Sequence, residues 1–462
     1  MPSSHPASPR VPRRWLRTSA LALGATLAFG GLTACAASDG STEGSSSSSS
    51  TSATSALFDS SAVHTIAVTF DDAEYDAMIA AYLADGTKGW ITATVTIDGE
   101  EFTEVGLRLK GNSSLQGLTT EQAEDPAALP WLVRLDKFVD GQAYDGATSF
   151  VVRSNTTETA LNEAVALELL ELSGLASEQA TASRFSVNGG EEALRLVIEN
   201  PDEAWEESTF GTAGLLYKAE SGGDYTYRGD DPAAYEDVFD QETGEEDLTP
   251  LIEFLAFLDS ADDATFTAEL SDYLDVDAFA TYLAAQELVD NFDDISGPGN
   301  NSYLRYDTES GLFTVVAWDQ NLSFGTMNMG GGAGGAAPGG DGAAAGGARP
   351  ELPADGELPS GMPTDMPTDM PTDMPTDMPS DMAGGMDGSM GGNVLAERFM
   401  ADETFAALYE TTLADLTETL YTSGTAAEVL ETWTDVLTDG ASDLVSAETI
   451  DTEAAAIAEY FD

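Results

Sequence analysis

Between Gly325 and Asn393 the chain carries glycine and alanine runs, four Met-Pro-Thr-Asp units from Met362 to Asp377, and a variant unit from Met378 to Asp381. Proline at every fourth position removes a backbone donor and excludes the helical conformation, so neither a helix nor a sheet ladder can run through it. Residues 326–392 therefore read as a semi-extended spacer insert, and the fold has to be assembled from what lies on either side. Closing a loop of this length costs about 4 kcal/mol by the logarithmic chain-entropy rule. A domain holds ~5 to 15 kcal/mol of stability, so the flanking segments can share one fold.

Charge limits the partners. The 462 residues include 17 Lys+Arg against 82 Asp+Glu, a formal charge of −65. Nucleic acid has to be met by clustered cations and is excluded as a partner; an anionic membrane surface is disfavoured for the same reason. Hydrophobic residues at 42% suffice for a core, so the chain is not a disordered acidic tail. The rare residue types limit the chemistry. Cys35 is the single cysteine and His5 and His64 the two histidines, which removes structural zinc, a disulfide framework and a downstream thiol nucleophile. His64 opens the alternating run His64 to Phe70, a strand pattern, so acid–base work falls to carboxylates or lysine.

Residues 1–34 carry Arg10, Arg13, Arg14 and Arg17, no acid, and then the apolar stretch Leu21 to Leu32. That is the layout of a secretory signal, and the stretch is too short to span a bilayer as a helix. It ends in Leu32-Thr33-Ala34-Cys35, which resembles a bacterial lipobox. The resemblance implies that Cys35 becomes the lipidated first residue of a protein exported and anchored to the outer face of the cell membrane. The Ser/Thr-rich residues 35–56 then form a flexible tether.

From Leu57 the texture changes. His64 to Phe70, Trp90 to Ile97, Phe102 to Lys110 and Trp131 to Phe138 alternate as strands, with a helix over Ala73 to Leu83 and a turn at Asp98-Gly99. Thr156 to Leu172 is spaced as a helix that Gly174 stops. Arg184 to Val187 and Leu194 to Glu199 flank the turn Asn188-Gly189-Gly190. The later part reads as helical over Leu248 to Leu258, Val276 to Val289 and Asn393 onward, interrupted by a hairpin of Ser302 to Tyr306 and Leu312 to Trp318. The expected class is α+β: residues 57–325 with the helices of 393–462 make a mixed N-terminal sheet lobe and a mostly helical C-terminal lobe.

Two groups of residues point to chemistry. Past residue 34 the chain has 13 basic residues, and nine of them fall between Arg108 and Arg228. Two roles fit: a site for phosphate or another anion, or counter-charges that hold an acidic sheet together. The second group is acidic and amide-rich: Asp290, Asn291, Asp293, Asp294, Asn300 and Asn301, with Asp319 and Asn321 just past a strand end. Oxygen donors without nitrogen or sulfur select hard cations. A basic sheet beside an acidic loop pair suits a metal–nucleotide site for phosphoryl transfer; a calcium-stabilised loop is the simpler alternative.

Taken in order, Val105-Gly-Leu-Arg-Leu-Lys-Gly-Asn-Ser-Ser114, the Pro130 to Phe138 strand, Gly141-Gln-Ala-Tyr-Asp-Gly146, the Leu161 to Gly174 helix, Val187-Asn-Gly189, Leu216-Tyr-Lys218 and Ala317-Trp-Asp-Gln-Asn-Leu-Ser-Phe-Gly325 resemble the spore coat protein H (CotH) kinase-like family. The resemblance implies an atypical protein-kinase-like fold that uses ATP with Mg²⁺ or Mn²⁺ to phosphorylate Ser or Thr of a protein acceptor. By that resemblance Asp319 is a metal ligand, with Asn301 and Asn321 beside it. Asp293 is the catalytic-loop aspartate and Asp290 its register alternative. Arg108, Lys110 and Arg134 face phosphate, Glu168 pairs with one of them, and Glu199 lies near the adenine hinge. The chain departs from the family at Asn321, where many members have Asp, and before Glu199, where it reads Ala193-Leu-Arg-Leu instead of a Gly-x-Tyr pattern. The competing class is a non-catalytic surface lipoprotein, a pseudokinase or calcium-binding scaffold.

The anchoring expectation is open to direct test. Cys35→Ala should release the protein from the membrane fraction. A variant that stays membrane-bound with its N-terminus uncleaved would show the lipoprotein reading to be wrong.

Overall fold

The computed structural model describes residues 55–220, 222–297, 301–326 and 393–461. The expected leader, Cys35, nearly all of the tether and insert, and Asn300 lie outside the described residues. Alternating burial makes strands of β1 (Val63–Phe70), β2 (Ile91–Ile97) and β3 (Glu100–Leu109), and α1 (Asp72–Asp85) starts where Asp71 accepts from the Ala73 and Glu74 amides. There follow β4 (Trp131–Arg134), β5 (Ser149–Val152), helix α2 (Leu161–Leu172), β6 (Ala180–Val187) and β7 (Ala193–Glu199). These seven strands close into a barrel in the order β1-β2-β3-β4-β5-β7-β6. A parallel pairing of β1 with β6 seals it, Val63 opposite Ala182 through Val68 opposite Val187. Ile66, Val68, Val95, Leu107, Trp131, Phe150 and Phe185 fill the interior, the side-chain plug a small barrel needs.

The expected mixed sheet is closed into a barrel, with β1–β6 as its parallel pairing. β5 provides the link that was not legible. All four of its residues are buried, so it has no alternation to read, and it joins β4 to β7. The second half is also corrected. After α3 (Glu203–Phe210), strands β8 (Gly214–Ala219), β9 (Phe239–Gln241), β10 (Ser302–Asp307) and β11 (Phe313–Ala317) form an antiparallel sheet of order β11-β10-β8-β9. It packs under α4 (Thr249–Ser260), α5 (Asp263–Glu269) and α6 (Val276–Leu288). His64 is structural: Nδ1 lies 2.6 Å from Asp98 and Nε2 3.2 Å from the Asp59 carbonyl.

Residues beyond the insert return to both halves. The post-insert helices are α7 (Val394–Ala401), α8 (Glu403–Leu416), α9 (Thr425–Ala441) and α10 (Ala447–Ala458). On α7, Arg398 donates to the free carbonyls at the end of α4, Leu258 at 2.6 Å and Ala261 at 2.8 Å, and Phe399 packs edge-on against Phe279 of α6. α9 packs Val429 and Trp433 with α2 against the outer face of the barrel. Among the described residues no helix is long and apolar enough to cross a membrane.

One buried charge ties the second sheet to α3. Arg305 on β10 donates to Glu206 at 3.0 Å, Asp307 at 2.7 Å and the Thr212 carbonyl at 2.8 Å. Arg305→Ala strands a buried Glu206 and should destabilise by about 3 to 5 kcal/mol. Arg228→Ala, which breaks a partly exposed pair with Asp224, should cost less than about 1 kcal/mol. Urea unfolding of the two variants checks the contrast.

Candidate active site

Within the barrel wall Leu107 and Leu109 point inward, so the pleat turns Gly106, Arg108 and Lys110 outward. Trp90 lies between two cations, with Arg108 at 4.8 Å and Lys137 at 4.9 Å from its ring centre. A Cβ at Gly106 would strike both Trp90 and Lys137, so this close packing requires glycine. Further along, the Lys110 ammonium sits 5.5 Å above the Trp318 ring. Lys88 donates to the Gly111 carbonyl and Lys218 of β8 pairs with Glu220. Burial pulls the Lys110 ammonium down to about 8, with Glu242 opposing the shift and Lys218 and Arg108 adding to it. The basic strand of the barrel and the β8–β9 edge of the second sheet thus meet in one charged layer.

Trp318 connects this layer to the acidic turn. Asp319, directly after β11, has φ +63°, a left-handed conformation that a non-glycine residue adopts only when its surroundings hold it. Two groups on the α2 side hold it here. Arg153, just past β5, donates to Asp319 and, through Nε, to Glu163 at 3.0 Å. Asn162 donates to the Asn321 carbonyl at 2.6 Å. Burial pulls the Arg153 guanidinium down, but Glu163 and Asp319 outweigh it and the net shift is upward, so Arg153 is a permanent cation.

The loop after α6 supplies the second carboxylate. Asn291 is buried and donates to Gln286 at 3.0 Å and Gln320 at 3.2 Å. Asn301 donates to both the carbonyl and the carboxylate of Asp293, each at 2.9 Å. The Asp293 carboxyl is raised first by burial and then by the charge of Asp319, so the two carboxylates lie within one another's field. Asp294 turns inward, accepting from the Ser296 amide at 2.8 Å and the Gly297 amide at 3.0 Å, and burial pushes it up to about 6.

The structure thus brings Asp293, Asn301 and Asp319 together, with Lys110 reaching the same region through Trp318 and Arg108 stacked on Trp90. Asn321 enters through its backbone carbonyl. The other expected residues sit apart. Asp290 is hydrogen-bonded by the Tyr460 hydroxyl near the end of the C-terminal helices. Arg134 is half exposed and pairs with Asp136 at 2.8 Å. Glu199, the last residue of the barrel, accepts from the Gln179 amide at 3.0 Å, and burial pushes it up to about 7. Glu168 requires a correction: it pairs with no cation but accepts from the Trp433 indole at 2.7 Å. Five residues apart on a helix means about 140° of rotation, so Glu163 and Glu168 cannot face the same neighbour. Glu163 takes the pairing expected of Glu168, and its partner is Arg153.

Arg153, Glu163, Lys88 and Glu242 were absent from the sequence-based site. Glu163 gave no separate signal in the sequence, because α2 also carries Glu168 and Glu171 and a first-turn carboxylate is common at a helix N-terminus. Among the described residues no three His, Cys, Asp or Glu side chains converge as a metal-binding group; the oxygen donors here are two carboxylates and an amide.

A barrel and a helix-backed sheet, with cations on one side of their junction and carboxylates on the other, make an α+β protein. The family profile described as CotH kinase protein matches residues 107–445, well over half of the chain, and the chain belongs to the CotH family. It is similar to inner spore coat protein H of Bacillus subtilis (strain 168), 23% identical over 195 residues, which cover 41% of this chain and 53% of that protein. The chain thus spans about half the length of that curated relative.

Lys110 gives the basic layer a pH dependence. Its ammonium is fully present below about pH 8 and lost above it, so affinity for inorganic tripolyphosphate should fall by up to about tenfold between pH 7 and 9. The unfolded lysine keeps its proton to higher pH, so fold stability from this group moves the opposite way and rises over the same window. Calorimetric titration across pH should show the step in wild type and none in Lys110→Met.

Proposed function

We propose that the protein is an exported, lipid-anchored CotH-type phosphotransferase with a protein-kinase-like arrangement, using ATP and Mg²⁺ or Mn²⁺ to modify Ser or Thr hydroxyls of a protein acceptor. The observation that carries this reading is Asp293 clamped by Asn301 and Asp319 held by Arg153, with Lys110 stacked on Trp318 next to Asp319 in the chain. The residues present fit a polyphosphate. The Arg108 Nε is buried without a partner, and an unpaired buried donor costs about 1 to 3 kcal/mol unless a ligand satisfies it. They also fit a hard cation, because the donors of Asp319, Asp293 and Asn301 are all oxygen.

In this reading Asp319 holds the metal, with Asn301 beside it, and the metal would screen phosphate charge. Arg153 fixes the geometry of Asp319 and ties it to α2 through Glu163, as a helix-borne ion pair does in kinases. Lys110 and Arg108 neutralise phosphate oxygens from the barrel side. Asp293, oriented by Asn301, accepts the acceptor hydroxyl's proton; its raised proton affinity suits a base. One observation favours the scaffold alternative: Arg153 already pairs with Asp319 and could substitute for a metal there.

Two substitutions should separate binding from transfer. Asp319→Ala should lose metal-dependent ATP binding. Asp293→Ala should bind Mg-ATP as wild type does yet lose transfer by about 10² to 10⁴-fold. Calorimetry with nucleotide and radiolabel transfer to casein-like and self substrates measure both. A wild type that shows neither binding nor transfer with Mg²⁺ or Mn²⁺ would sink the kinase reading in favour of the scaffold.

A further inference from the structure

Asp293 and Asp319 belong to different elements, the loop after α6 and the turn after β11, so contacts between these segments have to fix one carboxylate against the other. A backbone bond supplies part of this, the Phe324 amide donating to the Val289 carbonyl at 2.7 Å. Three buried amide side chains supply more: Gln286 on α6, Asn291 in the loop and Gln320 in the turn, at 2%, 4% and 1% exposure. Asn291 joins the other two. Its Nδ2 donates to the side-chain oxygens of Gln286 at 3.0 Å and Gln320 at 3.2 Å, and its Oδ1 accepts from the Asp293 amide at 3.3 Å. One side chain thus touches both the backbone of Asp293 and the residue that directly follows Asp319.

Stability does not account for this arrangement. The Gln286 Nε2 is buried without a partner, a desolvation cost that apolar groups of the same shape would not carry. What a hydrogen-bonded bridge adds is distance and direction, because a buried network locks its members into one register. Amides do this without placing a further charge beside the two carboxylates. We propose that Asn291 is a positioning residue that sets Asp293 against Asp319 through Gln320, and so governs transfer rather than nucleotide binding. Asp319 keeps its own supports, Arg153 and the bond from Asn162 to the Asn321 carbonyl, so binding on that side does not depend on the bridge. This inference rests on the phosphotransferase reading and adds to it the contact that aligns the two carboxylates.

Asn291→Leu and Gln320→Met, alone and combined, test it by radiolabel transfer, calorimetric Mg-ATP titration and thermal melting. Each single variant should lower kcat by about 10²-fold, the loss expected when a reacting group is displaced by ~1 Å, with Mg-ATP affinity unchanged. Both remove the same bond, so the double variant should be no slower than the slower single one. Should Asn291→Leu fail to fold, Gln320→Met alone decides by the same split of kcat from affinity. Single variants with wild-type kcat overturn the inference and leave the kinase reading standing. So do losses that multiply in the double variant, which would make the two residues independent. An Mg-ATP affinity that falls together with the melting temperature would make the amides a structural support only, which also overturns it. A wild type that neither binds nucleotide nor transfers phosphate removes the phosphotransferase reading and this inference together.

Discussion

Arg153 holds together parts of the chain that have little else in common. Its guanidinium joins Glu163 at the start of α2 to Asp319 after β11, and its carbonyl accepts from the buried Arg195 at 2.7 Å. Arg195 also donates to the carbonyls of Ala127 at 2.6 Å and Leu129 at 3.2 Å. A buried guanidinium with no carboxylate of its own is thus satisfied by backbone oxygens, while its neighbour takes both carboxylates. The barrel rim, the helix across it and the metal-side turn are fixed relative to one another by this one chain of contacts. Removing Arg153 leaves the buried Glu163 without its cation in a low-dielectric interior, where a charge is far more costly than on the surface.

The acidic surface and the basic interior layer are two sides of the same distribution. Most of the cations past residue 34 make buried or half-buried contacts: Arg153 and Arg305 in ion pairs, Arg195 on carbonyls, Lys110 and Arg108 on tryptophan rings. Of the two roles that the sequence left open for the basic cluster, the structural one is filled by Arg184 in ion pairs and Arg195 on backbone carbonyls. Arg108 and Lys110 instead stack on tryptophan rings.

Legibility from sequence followed periodicity. Strands with one buried face were readable, as were helices with caps such as Asp71 and stops such as Gly174. β5 and β8 were not, because both faces are covered and nearly every residue is buried, which leaves no alternation to read. Barrel closure was illegible for a related reason: the parallel β1–β6 pairing joins residues more than a hundred positions apart and leaves no local pattern. At the site, Asp293, Asn301 and Asp319 could be placed because motif and chemistry agree on them. Glu168 could not, since choosing between it and Glu163 requires the rotational phase of α2 against the barrel, which Trp433, far along the chain, helps to set.

The closing contacts also order events in time. Phe324, at the end of the Asp319 turn, packs against Tyr460 and Phe461 at 5.7 and 5.9 Å, and Arg184 on β6 clamps Asp443 and the Gly440 carbonyl. The barrel closes from residues 63–199 alone, but the packing on Phe324 and the clamp on Arg184 wait until residues well past 440 have been synthesised and delivered. Contacts of such long sequence separation make folding slow, because loop entropy is lost before any of them forms. A chain built this way crosses most of its own biosynthesis before the aromatic packing behind the Asp319 turn can form.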